Sequence, residues 1–288
     1  MILGFLIGKI KPTAAEKISL PLIRFGIPLS VMGLLLKVGL STDLIKTALI
    51  AFSAISLFIL LINNVTQLKK IFPNYSLQLG GLIGNTSFLG IPIAIALLPT
   101  DTINFTIGFD LGTTLYSWIF GPYFLGNDDN KSQKVNISTL IKSILISPAS
   151  KGIIGVWITY LLGIEKFLGD MLWIPARIVI CIAIIIVGTR LGIILNNKNQ
   201  LFQFRDNITY AIILKLIIFP IFVFVLSKTI GLNEIETLAI VLQAGTPSAI
   251  STILMAEAYR KNQDASAKIL FITTIFSMLT IPLITIII

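Results

Sequence analysis

Apolar residues run along this chain in long blocks separated by short polar breaks. A block of about 20 mostly apolar residues can cross the hydrocarbon core of a bilayer as a helix. The blocks predict spans near 19–40, 44–63, 76–98, 103–125, 138–163, 171–195, 208–229, 236–258 and 265–287. A tenth apolar piece, Met1–Ile10, is about half a span. It carries neither a basic n-region nor a small-residue cleavage site, so it does not read as a signal peptide. A start site placed too late and a truncated first helix both account for it. The loops run from a few to about a dozen residues and house no soluble domain.

Composition agrees. Charged residues make up 12% of the 288 positions, about half the roughly 25% of a soluble domain. With 55% hydrophobic residues and a mean hydropathy of +0.94, a soluble fold would lack polar side chains to cover its surface. There is no histidine, which excludes Ser-His-Asp, Cys-His and H-E-x-x-H chemistry. Cys181 is the only cysteine and forms no intrachain disulfide or thiolate cluster. The expectation is therefore a protein that is not an enzyme, with no cofactor and no metal site.

The net charge of +9 is mostly a topology signal. One set of alternating loops holds Lys9, Lys11, Lys17, Lys69, Lys70, Lys131, Lys134, Lys198, Arg205, Arg260 and Lys261; the other holds only Lys46, Lys166 and Lys228. The positive-inside rule makes the first set cytoplasmic and puts both termini outside. The expected setting is a cell membrane, plasma or bacterial inner, crossed many times. The partner is the lipid bilayer, and no nucleic acid is expected.

The chain also repeats itself. Arg24, Lys37 and Gly39 recur 153 residues later as Arg177, Arg190 and Gly192. Thr113, Thr114, Ser117 and Pro122 recur at a shift of 160 as Thr273, Thr274, Ser277 and Pro282, and Thr86 and Ala96 recur as Thr246 and Ala256. A unit of five spans is odd, so its second copy starts from the opposite side of the membrane. The predicted fold is all-α and polytopic, with about ten helices in two inverted five-helix repeats, an arrangement common to secondary transporters. Residues 1–125 form the first repeat, 126–137 a short cytoplasmic loop and 138–288 the second.

Two spans at matching positions are interrupted. The fourth packs four glycines, Asn85, Thr86, Ser87 and Pro92 into Leu79–Pro92; the ninth reads Gln243-Ala244-Gly245-Thr246-Pro247-Ser248-Ala249-Ile250-Ser251. Proline lacks an N–H, and glycine lowers the cost of non-helical backbone. Backbone groups freed in this way must face protein or a wet cavity. The start of each second half-helix offers unpaired N–H groups suited to a carboxylate. Asn85, Thr86, Ser87, Pro92, Gln243, Thr246, Pro247 and Ser248 are the candidate substrate site. The competing reading is a pair of proline-kinked helices whose small residues serve close packing.

Gly84-Asn85-Thr86-Ser87-Phe88-Leu89-Gly90-Ile91-Pro92, Asp110-Leu111-Gly112, Pro247-Ser248-Ala249 and Ser277-x-x-Thr280-x-Pro282 resemble the auxin efflux carrier family. The resemblance covers nearly the whole chain. It implies a bacterial-type permease for auxin-like or malate-like organic anions, related in fold to bile-acid symporters and sodium/proton antiporters. It also implies that the fourth and ninth helices cross at their prolines and that spans one, two, six and seven form a scaffold. Three features depart from the family: the short first span, Ser87 where many members carry glycine, and a central loop too short for a plant-type exporter.

Ionisable residues within spans are costly and mark candidate sites. Asp110 in the fifth span and Lys215 in the eighth occupy, by resemblance to the related antiporters, the positions of a coupling pair. The alternatives are a structural ion pair and a charge solvated in a crevice. Arg24, Lys37, Arg177 and Arg190 lie towards span ends, where long side chains snorkel. Glu257 and Lys268 read as facing the cytoplasm near helix ends. No G-x-x-x-x-G-K-[ST] loop is present, so ATP is not the direct energy source.

The expected function is secondary transport of a small organic anion by alternating access, with H⁺ or Na⁺ as a coupling ion and a homodimer as an allowed assembly. The alternatives are a cation/proton antiporter or a sodium-coupled symporter on the same fold.

Overall fold

The computed structural model describes residues 2–10, 13–39, 41–99, 102–126, 145–146, 148–196 and 206–288. Among them there is no strand, only one isolated bridge, and the regular structure is helical. The helices are α1 (Ile2–Ile10), α2 (Ala14–Pro21), α3 (Ile27–Val38), α4 (Thr42–Asn64), α5 (Thr66–Ile71), α6 (Tyr75–Leu82), α7 (Ile91–Leu97) and α8 (Ile103–Gly126). They continue as α9 (Pro148–Leu162), α10 (Glu165–Asn196), α11 (Asp206–Ile213), α12 (Phe219–Thr229), α13 (Glu234–Ala244), α14 (Ile250–Tyr259) and α15 (Gln263–Ile287). Four stretches among the described residues are long and apolar enough to cross a membrane: Lys17–Lys37, Thr42–Asn64, Asp206–Thr229 and Gln263–Ile287. The protein is a polytopic helical membrane protein.

Helix ends fall where the sequence supplies a cap. The Ser41 hydroxyl accepts from Leu44 N–H at 3.2 Å and starts α4, and Asn74 accepts from Leu77 N–H at 3.0 Å and starts α6. Asn233 and Glu236 form a reciprocal capping box at the start of α13. The predicted span 171–195 is the later part of a longer helix, because Glu165 favours an N-terminal turn just after Gly163 ends α9 in the left-handed region. The predicted blocks 76–98 and 236–258 are each broken into two helical pieces by a short non-helical segment. Beyond Gly126, the predicted loop 126–137 lies outside the described residues.

Among the described residues, three helical stretches contain a widened π turn, at Leu22–Gly26, Thr86–Gly90 and Leu214–Ile218. Each is followed by a helix with proline at its second position: Pro28, Pro92 and Pro220. The residue before each proline bonds five residues back: Ile27 N–H to Leu22 O, Ile91 N–H to Thr86 O and Phe219 N–H to Leu214 O. A proline in an ordinary α turn would drive its ring against the carbonyl four residues earlier and leave that carbonyl unpaired. Widening the turn relieves the clash.

Contacts gather the chain into two compact units, and each unit draws on both predicted halves. Unit 1 comprises Met1–Leu40, Trp118–Gln203 and Ile253–Ala267; unit 2 comprises Ser41–Ser117, Phe204–Thr252 and Lys268–Ile288. Glycine sets the packing within each, as expected where helices associate by close approach rather than by hydrophobic burial. In unit 1, a methyl on Gly4 or Gly8 would stand 2.1 Å from Ile185 O or 2.0 Å from Thr189 O, so α1 lies directly on the α10 backbone. In unit 2, a methyl on Gly108 would stand 1.9 Å from Thr47 Oγ1, and one on Gly112 2.1 Å from Ala48 O. These contacts clamp α8 to α4 on either side of Asp110.

Candidate substrate site

The site lies within unit 2, where the two interruptions cross. Residues Ile83–Asn85 follow α6 and residues Gly245–Ala249 follow α13, and Gly84 faces Ser248 in an antiparallel bridge. Asn85 N–H donates to Pro247 O at 2.7 Å, and Ala249 N–H donates to Ile83 O at 3.0 Å. Each break thus satisfies backbone groups of the other, which lipid could not do. Only glycine suits position 84: a methyl there would stand 2.4 Å from Thr246 Oγ1 and 3.1 Å from Lys215 Nζ.

Pro247 is at the crossing, whereas Pro92 is not. The first break is made by Ile83, Gly84 and Asn85, and helical structure has already resumed at Thr86. Pro92 therefore sits inside a helical run and widens the preceding turn. The crossing at both prolines that the family resemblance implied is corrected to one proline and one glycine-asparagine pair.

Opposite charges flank the crossing. Asp110 is fully buried, and its Oδ1 accepts from Thr86 Oγ1 at 2.5 Å and from Ser87 Oγ at 2.6 Å. Its Oδ2 is buried with no hydrogen-bond partner. These hydroxyls open the second half-helix, so an acid of the protein itself sits at that helix start, where negative charge is favoured. Lys215 is also fully buried and donates to Ala244 O at 2.6 Å, the carbonyl at the end of α13, where positive charge is favoured. Its Nζ lies 5.2 Å from the centre of the Phe219 ring. Asp110 and Lys215 form no ion pair with each other, whereas Lys37 and Asp170 pair at 2.6 Å in an exposed position. Each charge is thus held by partners of its own, Asp110 by two hydroxyls and Lys215 by a backbone carbonyl.

Two carboxamides, Asn85 in the first break and Gln243 in the helical turn before the second, complete the site. Gln243 is fully buried, and neither Nε2 nor Oε1 has a partner. Its Oε1 would lie 2.0 Å from a methyl on Gly90. Asn85 forms no side-chain cap and retains 9% exposure. The hydroxyl protons of the other candidates are committed internally: Thr86 and Ser87 to Asp110, and Thr246 to Gln243 O at 2.7 Å. Ser248 N–H donates to Thr273 Oγ1 at 3.0 Å, and the Ser248 and Thr252 hydroxyls are 3.4 Å apart. Thr273, singled out in the sequence only as part of the repeat, therefore holds the second break. No sequence motif marked its contact with Ser248.

Glu257 and Lys268, read from the sequence as facing the cytoplasm near helix ends, are covered by protein, at 1% and 9% exposure. Glu257 accepts from Gln263 Nε2 at 2.9 Å. The intervening turn places Arg260 and Asn262 in the left-handed region, which allows the chain to reverse tightly enough to cover the carboxylate. The side chains of Arg177 and Arg190 lie outside the described residues.

Bilayer-length helices around two crossed, interrupted helices with buried opposite charges define a membrane transporter. The chain matches the family described as membrane transport protein over residues 129–285, more than half its length, and belongs to that family. It is thereby a permease of the auxin efflux carrier type, as its broken-helix motifs indicated, and a transport protein rather than an enzyme. It is also similar to an uncharacterised transporter of Methanocaldococcus jannaschii, with 27% identity over 220 residues covering 75% of this chain and 70% of that protein.

Proposed function

We propose that this transporter carries a small organic anion, bound at the crossing and exposed to each side of the membrane in turn. The observation that carries the reading is a set of buried polar groups left without protein partners where the two breaks meet. The Gln243 amide has an unused donor and acceptor, and the Asn85 carboxamide makes no capping hydrogen bond. Lys215 has spent one of its three N–H donors on Ala244 O. Groups of this kind are costly to bury unsatisfied, and a carboxylate supplies the acceptors that Lys215 and the two amides lack. The crossing of two interrupted helices also supports the predicted arrangement of inverted repeats, and unit 1 contains the spans that the family resemblance assigns to a scaffold. With no soluble nucleotide-binding segment, the energy comes from gradients; each charge moved gains about 2.3 kcal/mol per 100 mV.

Coupling to H⁺ or a cation is a second reading, favoured by the unpartnered Asp110 Oδ2 beside the Thr86 and Ser87 hydroxyls and the Gly84 carbonyl. Purified protein in liposomes, offered labelled malate, other dicarboxylates and indole acetate under imposed pH and voltage gradients, tests both. Saturable uptake of one of these anions, lost in Asn85→Ala/Gln243→Ala, is the expected result. Na⁺ or K⁺ flux without organic anion would instead establish the antiporter.

A further inference from the structure

The two flanking charges share a device that the substrate reading does not use. Thr86 and Ser87, which hold Asp110, open the π turn Thr86–Gly90, and Lys215 lies in the π turn Leu214–Ile218. Both turns end two residues before a proline, and so does the remaining π turn among the described residues, Leu22–Gly26 before Pro28. We propose that Pro92 and Pro220 are positioning residues of the site. Each keeps its upstream turn π-helical and so fixes the rotational setting of the groups at the crossing. The proposal rests on unit 2 being the substrate site, but its structural arm is read without transport.

The physical argument is one of register. A π turn is an α-helix with one extra residue, and adding or removing one residue rotates everything upstream by about 100°. With an N–H restored at position 220, the α pattern would offer the Leu216 carbonyl a partner that it lacks beside proline. The turn would then tighten, and Lys215 would swing away from Ala244 O. A shift of one residue would bring an adjacent apolar side chain, Leu214 or Leu216, to the place that Lys215 leaves. The same change at position 92 would turn Thr86 and Ser87 away from Asp110.

The experiment compares Pro92→Ala, Pro220→Ala and Pro28→Ala in the full chain. The π turn before Pro28 lies in unit 1, which holds none of the site residues, so Pro28→Ala controls for loss of a π turn as such. Hydrogen exchange on the purified variants should slow across each affected turn. In a Cys181→Ser background, Lys215→Cys should react with a membrane-permeant thiol reagent at least about tenfold faster once Pro220→Ala is added, because that side chain no longer points into the core. Anion uptake should fall at least about tenfold in Pro92→Ala and Pro220→Ala but change less than about twofold in Pro28→Ala. Deleting Ile218 from Pro220→Ala removes the extra residue, restores the upstream register and should return both protection of position 215 and transport. Unchanged exchange and thiol reactivity in Pro220→Ala overturns the proposal, as does equal loss in all three variants or failure of the deletion to rescue. If the parent moves no organic anion while the exchange and thiol results hold, the positioning stands and the substrate reading falls.

Discussion

Gly90 and Gln243 are matched residue to residue. A methyl on Gly90 would stand 2.0 Å from Gln243 Oε1 and 2.9 Å from Thr246 Cγ2. Gly90→Ala is expected to destabilise the protein by about 1–3 kcal/mol through overpacking. Since Gln243 Oε1 is the far end of a flexible side chain, adding Gln243→Ala should recover part of that loss; thermal unfolding in detergent gives the coupling. Asp110→Asn makes the complementary test. Its amide oxygen still accepts from Thr86 and Ser87, so the fold should persist while proton or cation coupling disappears. Flux that responds to an imposed pH gradient in the parent but not in Asp110→Asn is the expected outcome, and an identical response in both removes Asp110 from coupling. The composition of these breaks was legible because glycine, proline and small polar residues crowd otherwise apolar spans. Which hydroxyls were committed to internal acceptors was not, because that depends on neighbours such as Thr273 that lie far away in sequence.

At the scale of elements, glycines fall into two physical classes. Gly39, Gly163 and Gly231 have positive φ and nothing within 4 Å of an added methyl. Alanine at any of them should cost about 1 kcal/mol through backbone strain alone. Gly108 and Gly112 are helical and in contact with the α4 backbone and Thr47. Gly108→Ala must push α8 off α4 and should lower the midpoint of thermal unfolding well beyond the effect of Gly231→Ala, with a loss of transport because Asp110 moves with α8. Equal shifts in the two variants would show that the α4–α8 contact yields easily. Apolar block length predicted most helices, yet the π turns were not legible, since a proline in a long apolar run signals a kink without specifying how it is accommodated.

For the whole molecule, the asymmetry of loop charges predicts sidedness. In a Cys181→Ser background, cysteines introduced at Lys69 and at Lys228 should label from opposite faces of intact cells with an impermeant reagent. Labelling from one face would reverse the proposed inverted topology.

The sequence by itself determined the membrane setting, the exclusion of histidine- and thiol-based chemistry, the family and the two interrupted spans, because each follows from composition, block length or local motif. Only the tertiary structure decided that the breaks cross through Gly84 and Ser248 and that Pro92 stands away from the crossing. It likewise decided that Asp110 and Lys215 compensate separate helix ends without forming an ion pair. Those outcomes depend on contacts between helices, where a single added residue in one turn re-aims a buried charge, and spacing along the chain does not record that rotation.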